Sequence, residues 1–89
     1  MRSFTEISTY LDAEGRVTVW PSKRDRNGIV VLEYLATKFA VNQIYTEKEV
    51  NERLNEYHTF ADPALLRREM VGMGFLSRTR DCSAYWLNL

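Results

Sequence analysis

The chain has 89 residues, which is enough for one domain and too few for a second core. Twelve basic and twelve acidic side chains give a formal net charge of zero, so the molecule as a whole is not attracted to nucleic acid or to an anionic membrane. With 45% hydrophobic residues, the composition is typical of a folded domain and excludes a disordered chain.

The chain contains one cysteine, Cys82, which excludes an internal disulfide and a thiolate metal cluster. A single thiol indicates a reducing compartment, so we expect a cytoplasmic protein. No apolar run approaches the ~20 residues of a membrane span, and the N-terminus is too polar for a signal peptide. We therefore expect no membrane partner.

The first twenty residues predict a helix followed by a strand. Ser3 and Glu6 stand at capping-box spacing ahead of an apolar stripe, which predicts a short amphipathic helix that ends before Gly15. Residues 16–20 alternate and are rich in β-branched side chains, which predicts a strand that stops at Pro21.

The next segment predicts a basic hinge, a helix and a short strand. The hinge covers residues 22–27, and apolar residues at helical spacing then predict a helix over about 28–38. Residues 43–45 are assigned as a short strand before the next helix.

Two further helices have clear start signals. Thr46 and Glu49 form a capping box, so a helix is predicted to begin at Thr46. Asp62 as N-cap, followed by Pro63 at the first helical position, predicts a helix that runs to about Val71, with Gly72 or Gly74 at its C-terminus.

A hairpin is predicted after the last helix, with strands at 75–78 and 84–87 and the five-residue loop 79–83. A helix pair with a short turn, followed by a hairpin, is the element order of a winged helix-turn-helix. We predict one α+β domain of this type, with 1–21 as an N-terminal helix-and-strand extension and 22–89 as the core. A generic α+β domain with the same elements packed differently is the alternative.

The neutral total charge hides a bipolar distribution. Residues 16–28 and 63–80 each carry four basic side chains and one acidic side chain, a local net charge of +3. Residues 46–62 carry five acidic and two basic side chains, a local net charge of −3. In a winged helix the second helix of the pair and the wing face DNA, so one positive segment coincides with those elements.

The phase of the last helix places Arg67 and Arg68 opposite its apolar face, so both are expected to point outward. Ala64 lies on the same side and would permit close approach to a base edge. The alternative is a solvated helix face whose arginines pair with Glu69 or with acidic residues of the preceding helix.

Three motifs in order resemble a small bacterial family catalogued as domain of unknown function 2087. They are W-P-S-K-R at 20–24, Y-T-E-K-E-V-N at 45–51 and L-R-R-E-M-V-x-M-G-F-L at 66–76. The resemblance implies a winged-helix-like domain, alone or attached to repressor-type helix-turn-helix domains, and a role in transcription regulation. The chain departs from the family pattern at residues 81–83, where a glycine-containing turn is expected.

The first motif has two interpretations. Ser22, Lys23 and Arg24 at a helix N-terminus would hold a phosphate through amides and cations. Alternatively, Trp20 fills the core, Ser22 caps the helix and the cations pair with acidic side chains.

Other chemistry is poorly supported. Cys82 and His58 are the one available nucleophile-and-base pair, and nothing nearby suggests an orienting acid, so we do not expect an enzyme. No metal site, cofactor or nucleotide-binding loop is expected. Cys82 is a candidate redox thiol, because its oxidation at a wing tip would alter DNA contacts.

These observations predict a DNA-binding transcriptional regulator without catalytic activity. Arg67 and Arg68 would contact the major groove of double-stranded DNA. Contacts to the phosphate backbone would come from the wing and from the hinge, through Arg78, Arg80, Lys23 and Arg24. A homodimer or a partner regulatory protein would supply specificity. The alternative function is a protein–protein interaction module that docks on a transcription factor or another complex.

Overall fold

The computed structural model describes residues 4–21 and 26–88, which form the predicted α+β domain of helices and a three-stranded antiparallel sheet. A 3₁₀ helix comes first, followed by helices α1–α3 and strands β1–β3. Their bounds are Thr5–Tyr10 for the 3₁₀ helix, Arg26–Ala36 for α1, Ile44–Tyr45 for β1, Glu47–Asn55 for α2, Pro63–Gly72 for α3, Leu76–Arg78 for β2 and Tyr85–Leu87 for β3. In the described part of the chain, no helix is long and apolar enough to cross a membrane.

Both predicted helix starts are confirmed. The Thr46 hydroxyl accepts from the Glu49 amide at 3.1 Å, and the Glu49 carboxylate accepts from the Thr46 amide at 2.8 Å, which completes the capping box of α2. The Asp62 carboxylate accepts from the Leu65 amide at 3.1 Å, with Pro63 as the first residue of α3. These caps satisfy amides that a helix leaves without partners at its first turn.

Helix α3 ends in a Schellman motif around Gly74. The Phe75 amide donates to the Met70 carbonyl at 2.8 Å, and the Gly74 amide donates to the Val71 carbonyl at 3.1 Å. Gly74 has φ +86°, a conformation that glycine adopts without steric cost. This turn directs the chain from α3 straight into β2.

The sheet order is β1-β3-β2, and both pairs are antiparallel. The predicted hairpin is confirmed, although each strand starts one residue later than expected. Tyr45 and Tyr85 are paired and face the core, whereas the neighbouring pair Ile44 and Trp86 occupies the other face. The buried apolar core consists of Ile7, Val17, Val30, Val31, Leu32, Leu35, Phe39, Tyr45, Val50, Leu54, Leu66, Met70, Leu76 and Tyr85.

The turn between α2 and α3 is organised by His58, which is only 4% exposed. Its Nε2 accepts from the Asp62 amide at 2.9 Å, so the ring proton is on Nδ1 and is donated to the Leu54 carbonyl at 2.7 Å. The neutral imidazole thus links the end of α2 to the N-cap of α3.

Of the two elements predicted at the N-terminus, the helix is present and the strand is not. The helix expected before Gly15 is a 3₁₀ helix that ends at Tyr10, and the predicted Ser3 cap lies outside the described residues. Residues 16–20 do not form a strand. Val17 alone makes isolated bridges, antiparallel to Leu11 and parallel to His58. Because the pairing does not extend beyond Val17, the segment forms isolated bridges and not a strand.

Candidate nucleic-acid interface

A groove of about 320 Å³ lies where α3 faces the start of α2 and the β2–β3 hairpin. We call it the arginine groove, and its lining residues are Glu47, Arg67, Arg68, Val71, Gly72, Arg78, Cys82 and Tyr85. A somewhat larger cavity of about 390 Å³ lies beside the outer sheet face at Ile44 and Trp86, but no charged side chain lines it. The arginine groove therefore combines volume with chemistry suited to an anion.

Arg67 does not point outward as predicted. Its side chain is 13% exposed, Nη1 donates to Asn51 Oδ1 at 2.6 Å, and Nη2 lies 3.9 Å from Glu47 Oε2. Arg67 follows the buried Leu66 by one residue, a rotation of about 100° around the helix, which places it on the flank of α3 beside α2. The alternative in which an arginine pairs with an acid of the preceding helix holds for Arg67.

Glu47 connects this ion pair to the sheet. Its Oε1 accepts a hydrogen bond of 3.0 Å from the Tyr85 hydroxyl. Burial raises the pKa of Tyr85 to about 12, and hydrogen bonds with Cys82 and Glu47 add to the shift. The hydroxyl is therefore neutral near pH 7 and stays a donor at the base of the groove.

Arg68 and Arg78 are the accessible cations of the groove. Arg68 is exposed and lies about 200° around α3 from Leu66, on the side away from the core. Arg78 ends β2, and its Nη1 donates to the carbonyls of Thr79 at 3.0 Å and Arg80 at 3.4 Å. Within residues 4–21 and 26–88, neither arginine forms a salt bridge. Both guanidinium groups can therefore donate hydrogen bonds to an external anion.

The hairpin loop is ordered by its own polar side chains. Asp81 accepts from the Ser83 hydroxyl at 2.7 Å, the Thr79 hydroxyl at 2.8 Å and the Ser83 amide at 3.1 Å. These bonds, the Ser83 hydroxyl first, lower the pKa of Asp81. Cys82 has φ +64°, the left-handed conformation that the expected glycine would have supplied. The loop thus makes its sharp turn without glycine.

The candidate redox thiol lies in the groove and not at a fully exposed tip. Cys82 is a half-buried free thiol on the groove wall, which it shares with Tyr85. Its predicted sensitivity to oxidation therefore concerns the groove wall itself.

Of the remaining predicted site residues, the two that the structure describes, Ala64 and Arg80, do not line the groove. Ala64 is half-buried in the first turn of α3, and Arg80 is exposed in the hairpin loop. Lys23 and Arg24, the proposed phosphate contacts of the hinge, lie outside the described residues. No group of three histidine, cysteine, aspartate or glutamate side chains in the described ranges could hold a metal ion.

Sequence reasoning missed Glu47, Asn51 and Tyr85 as members of the site. Glu47 and Asn51 are four residues apart and therefore share one face of α2, which is the signal that could have identified them as a pair. The contact of that face with Arg67 depends on how α2 packs on α3, which neither helix pattern encodes.

The model of a family described as uncharacterized protein conserved in bacteria, domain of unknown function 2087, matches residues 16–87. The chain belongs to this family. The matched region includes α1–α3, all three strands and every residue of the arginine groove. No curated protein and no solved structure matches the chain. Because the family is uncharacterized, membership does not indicate a function, and the geometry of the arginine groove is the basis for one.

Proposed function

We propose that this member of the family is a non-catalytic winged-helix domain that binds double-stranded DNA and regulates transcription. The observation that carries the proposal is the convergence of Arg68, from α3, and Arg78, from the hairpin, on one groove, where no acid among the described residues pairs with either. The helix that precedes the hairpin and the hairpin itself are the elements that a winged helix directs at DNA.

The architecture supports this proposal. Helices α2 and α3 are joined by a short turn, β2 and β3 follow directly, and β1 pairs with β3 to complete the sheet. This order was expected for a winged helix-turn-helix, with α3 as the recognition helix and the β2–β3 hairpin as the wing. The half-buried Ala64 lets the first turn of α3 approach a base edge closely.

The structure changes the roles assigned to the arginines. Arg68 is now the major-groove candidate, and Arg78 and Arg80 are candidates for phosphate contacts. Arg67 contacts Asn51 and Glu47 and supports the groove from within. Lys23 and Arg24 stay predicted backbone contacts. Because the groove belongs to one small module, a homodimer or a partner regulatory protein would be needed for a specific site.

The test is fluorescence anisotropy of the protein on mixed-sequence duplex DNA across a salt series. Arg78→Ala should lower the magnitude of the salt slope by about 0.9, since one phosphate contact is lost. Arg53→Ala is the matched control, because Arg53 carries the same charge but lines a separate cavity with Glu49, Glu52 and Glu56. The control should retain the wild-type slope. No binding at about 50 mM salt would refute DNA binding, and equal slopes in all three proteins would refute DNA binding through the arginine groove.

A protein-interaction module is the second candidate. The observation in its favour is an exposed apolar strip beside β1, where Ile44 is 62% and Val41 54% exposed. The internal pairing of Arg67 with Glu47 also reduces the free positive charge near α3. Ile44→Ser should then abolish binding to a purified partner while leaving the unfolding free energy unchanged. Unaltered partner binding in that variant would exclude the strip.

A further inference from the structure

We propose that Glu47 is an internal competitor that occupies the place of a DNA phosphate on Arg67 and so limits the affinity of the arginine groove. The proposal rests on DNA binding as the function of that groove.

The Glu47–Arg67 pair is loose. The 3.9 Å between Glu47 Oε2 and Arg67 Nη2 exceeds the length of a hydrogen bond, so the contact is an ion pair without a directed donor. The Glu47 side chain is also 44% exposed, so its side of the ion pair is open to solvent. A long and partly solvated ion pair contributes little free energy, which leaves an external anion little to overcome.

Arg67 itself is held firmly. Its Nη1 donates to Asn51 at 2.6 Å, and its side chain is largely buried between α2 and α3. The guanidinium is thus fixed at the groove wall by one nitrogen, while the other nitrogen faces a replaceable anion. A phosphate resembles a carboxylate as an acceptor for a guanidinium, so it can replace Glu47 without any movement of Arg67.

Glu47 opposes DNA in a second way, because its negative charge lies in the groove itself. Glu47→Gln removes that charge and retains an oxygen that accepts from the Tyr85 hydroxyl. The change should strengthen DNA binding about fivefold at low salt, the size expected for one close charge pair near water. The salt slope should become steeper by about 0.9, since Arg67 then neutralises one further phosphate.

Glu52→Gln is the matched control. Glu52 lies on the same helix, is exposed, and lines a separate cavity away from the arginine groove. The charge change is identical, so any general effect of net charge on affinity appears in both variants. The unfolding free energy of each variant is measured in urea, because Glu47 also occupies the first turn of α2.

The experiment is a salt series of anisotropy titrations with wild type, Glu47→Gln and Glu52→Gln on the same duplex. Tighter binding and a steeper slope in Glu47→Gln alone support the competitor role, as does binding by Glu47→Gln where the wild type shows none. If the wild type binds and Glu47→Gln behaves as Glu52→Gln, or binds more weakly, the competitor role is refuted and DNA binding stands. Absence of binding in all three proteins refutes DNA binding, and the competitor role with it.

Discussion

Two adjacent arginines of α3 should differ sharply in their contribution to stability. Arg67→Ala removes a 2.6 Å hydrogen bond from a charged donor to Asn51, worth about 1.5–3 kcal/mol. The ion pair with Glu47 at 3.9 Å adds at most about 1 kcal/mol. Because Asn51 is half-buried and water can solvate part of it, we expect a loss of about 2 kcal/mol in the free energy of unfolding. Arg68→Ala removes an exposed side chain and should change that free energy by less than about 0.5 kcal/mol.

The assay is urea unfolding followed by tryptophan fluorescence, with the two single variants compared at equal m-value. The comparison also decides how DNA-binding data are interpreted, because a double Arg67/Arg68 variant would combine a folding defect with a binding defect. Equal midpoints for Arg67→Ala and Arg68→Ala would refute the buried position of Arg67. A large loss in Arg68→Ala would refute the exposed position of Arg68.

Three further predictions concern the scaffold. His58→Ala should lower the free energy of unfolding, measured in urea, by about 3 kcal/mol, because it removes a buried ring and two hydrogen bonds to backbone groups. A loss below about 1 kcal/mol would contradict the role of His58 as the link between α2 and α3. The pKa of Tyr85 is raised to about 12 in the folded state, against 10.0 for a free tyrosine. Its contribution to stability is therefore complete below pH 10 and is lost as the pH rises toward 12. The free energy of unfolding of the wild type should accordingly fall more steeply over this pH range than that of Tyr85→Phe. Gly15→Ala should destabilise the fold by about 1–2 kcal/mol, since φ is +79° and a Cβ would lie 2.9 Å from the Tyr34 hydroxyl. In contrast, a Cβ at Gly72 meets no atom within 4 Å, so Gly72→Ala should stabilise α3 by up to about 1 kcal/mol.

Local sequence signals predicted the parts of the fold that local interactions determine. The capping box of Thr46 and Glu49 needs four consecutive residues, and the Asp62–Pro63 start needs even fewer, so both could be assigned without knowledge of the tertiary structure. The hairpin was also predictable, because its strands are close in sequence and joined by a short loop.

The prediction of a strand at residues 16–20 was wrong because a strand needs a neighbouring strand to pair with, and a local sequence pattern does not show whether one is present. The alternating pattern is present, yet only Val17 is fully buried and only Val17 forms bridges. Its amide donates to the Tyr57 carbonyl at 2.7 Å, and its carbonyl accepts from the Thr59 amide at 3.0 Å. One residue thus makes sheet-like contacts with the α2–α3 turn, whereas the backbone groups of Arg16 and Thr18 bond to Asp12 and Tyr10.

The candidate site likewise shows that the sequence does not reveal which charged side chains pair with each other in the fold. Counting charges along the chain gave α3 a free basic pair, but Arg67 is held by Asn51 and Glu47 of the acidic segment. The opposite charges of α2 and α3 therefore cancel partly inside the domain, and Arg68 is the more exposed arginine of the pair. A protein with no net charge would depend on a few accessible arginines for contact with DNA phosphates, so removal of any one of them should measurably lower its affinity for DNA. At Arg67, the internal ion pair with Glu47 then competes with a proposed contact to a DNA phosphate.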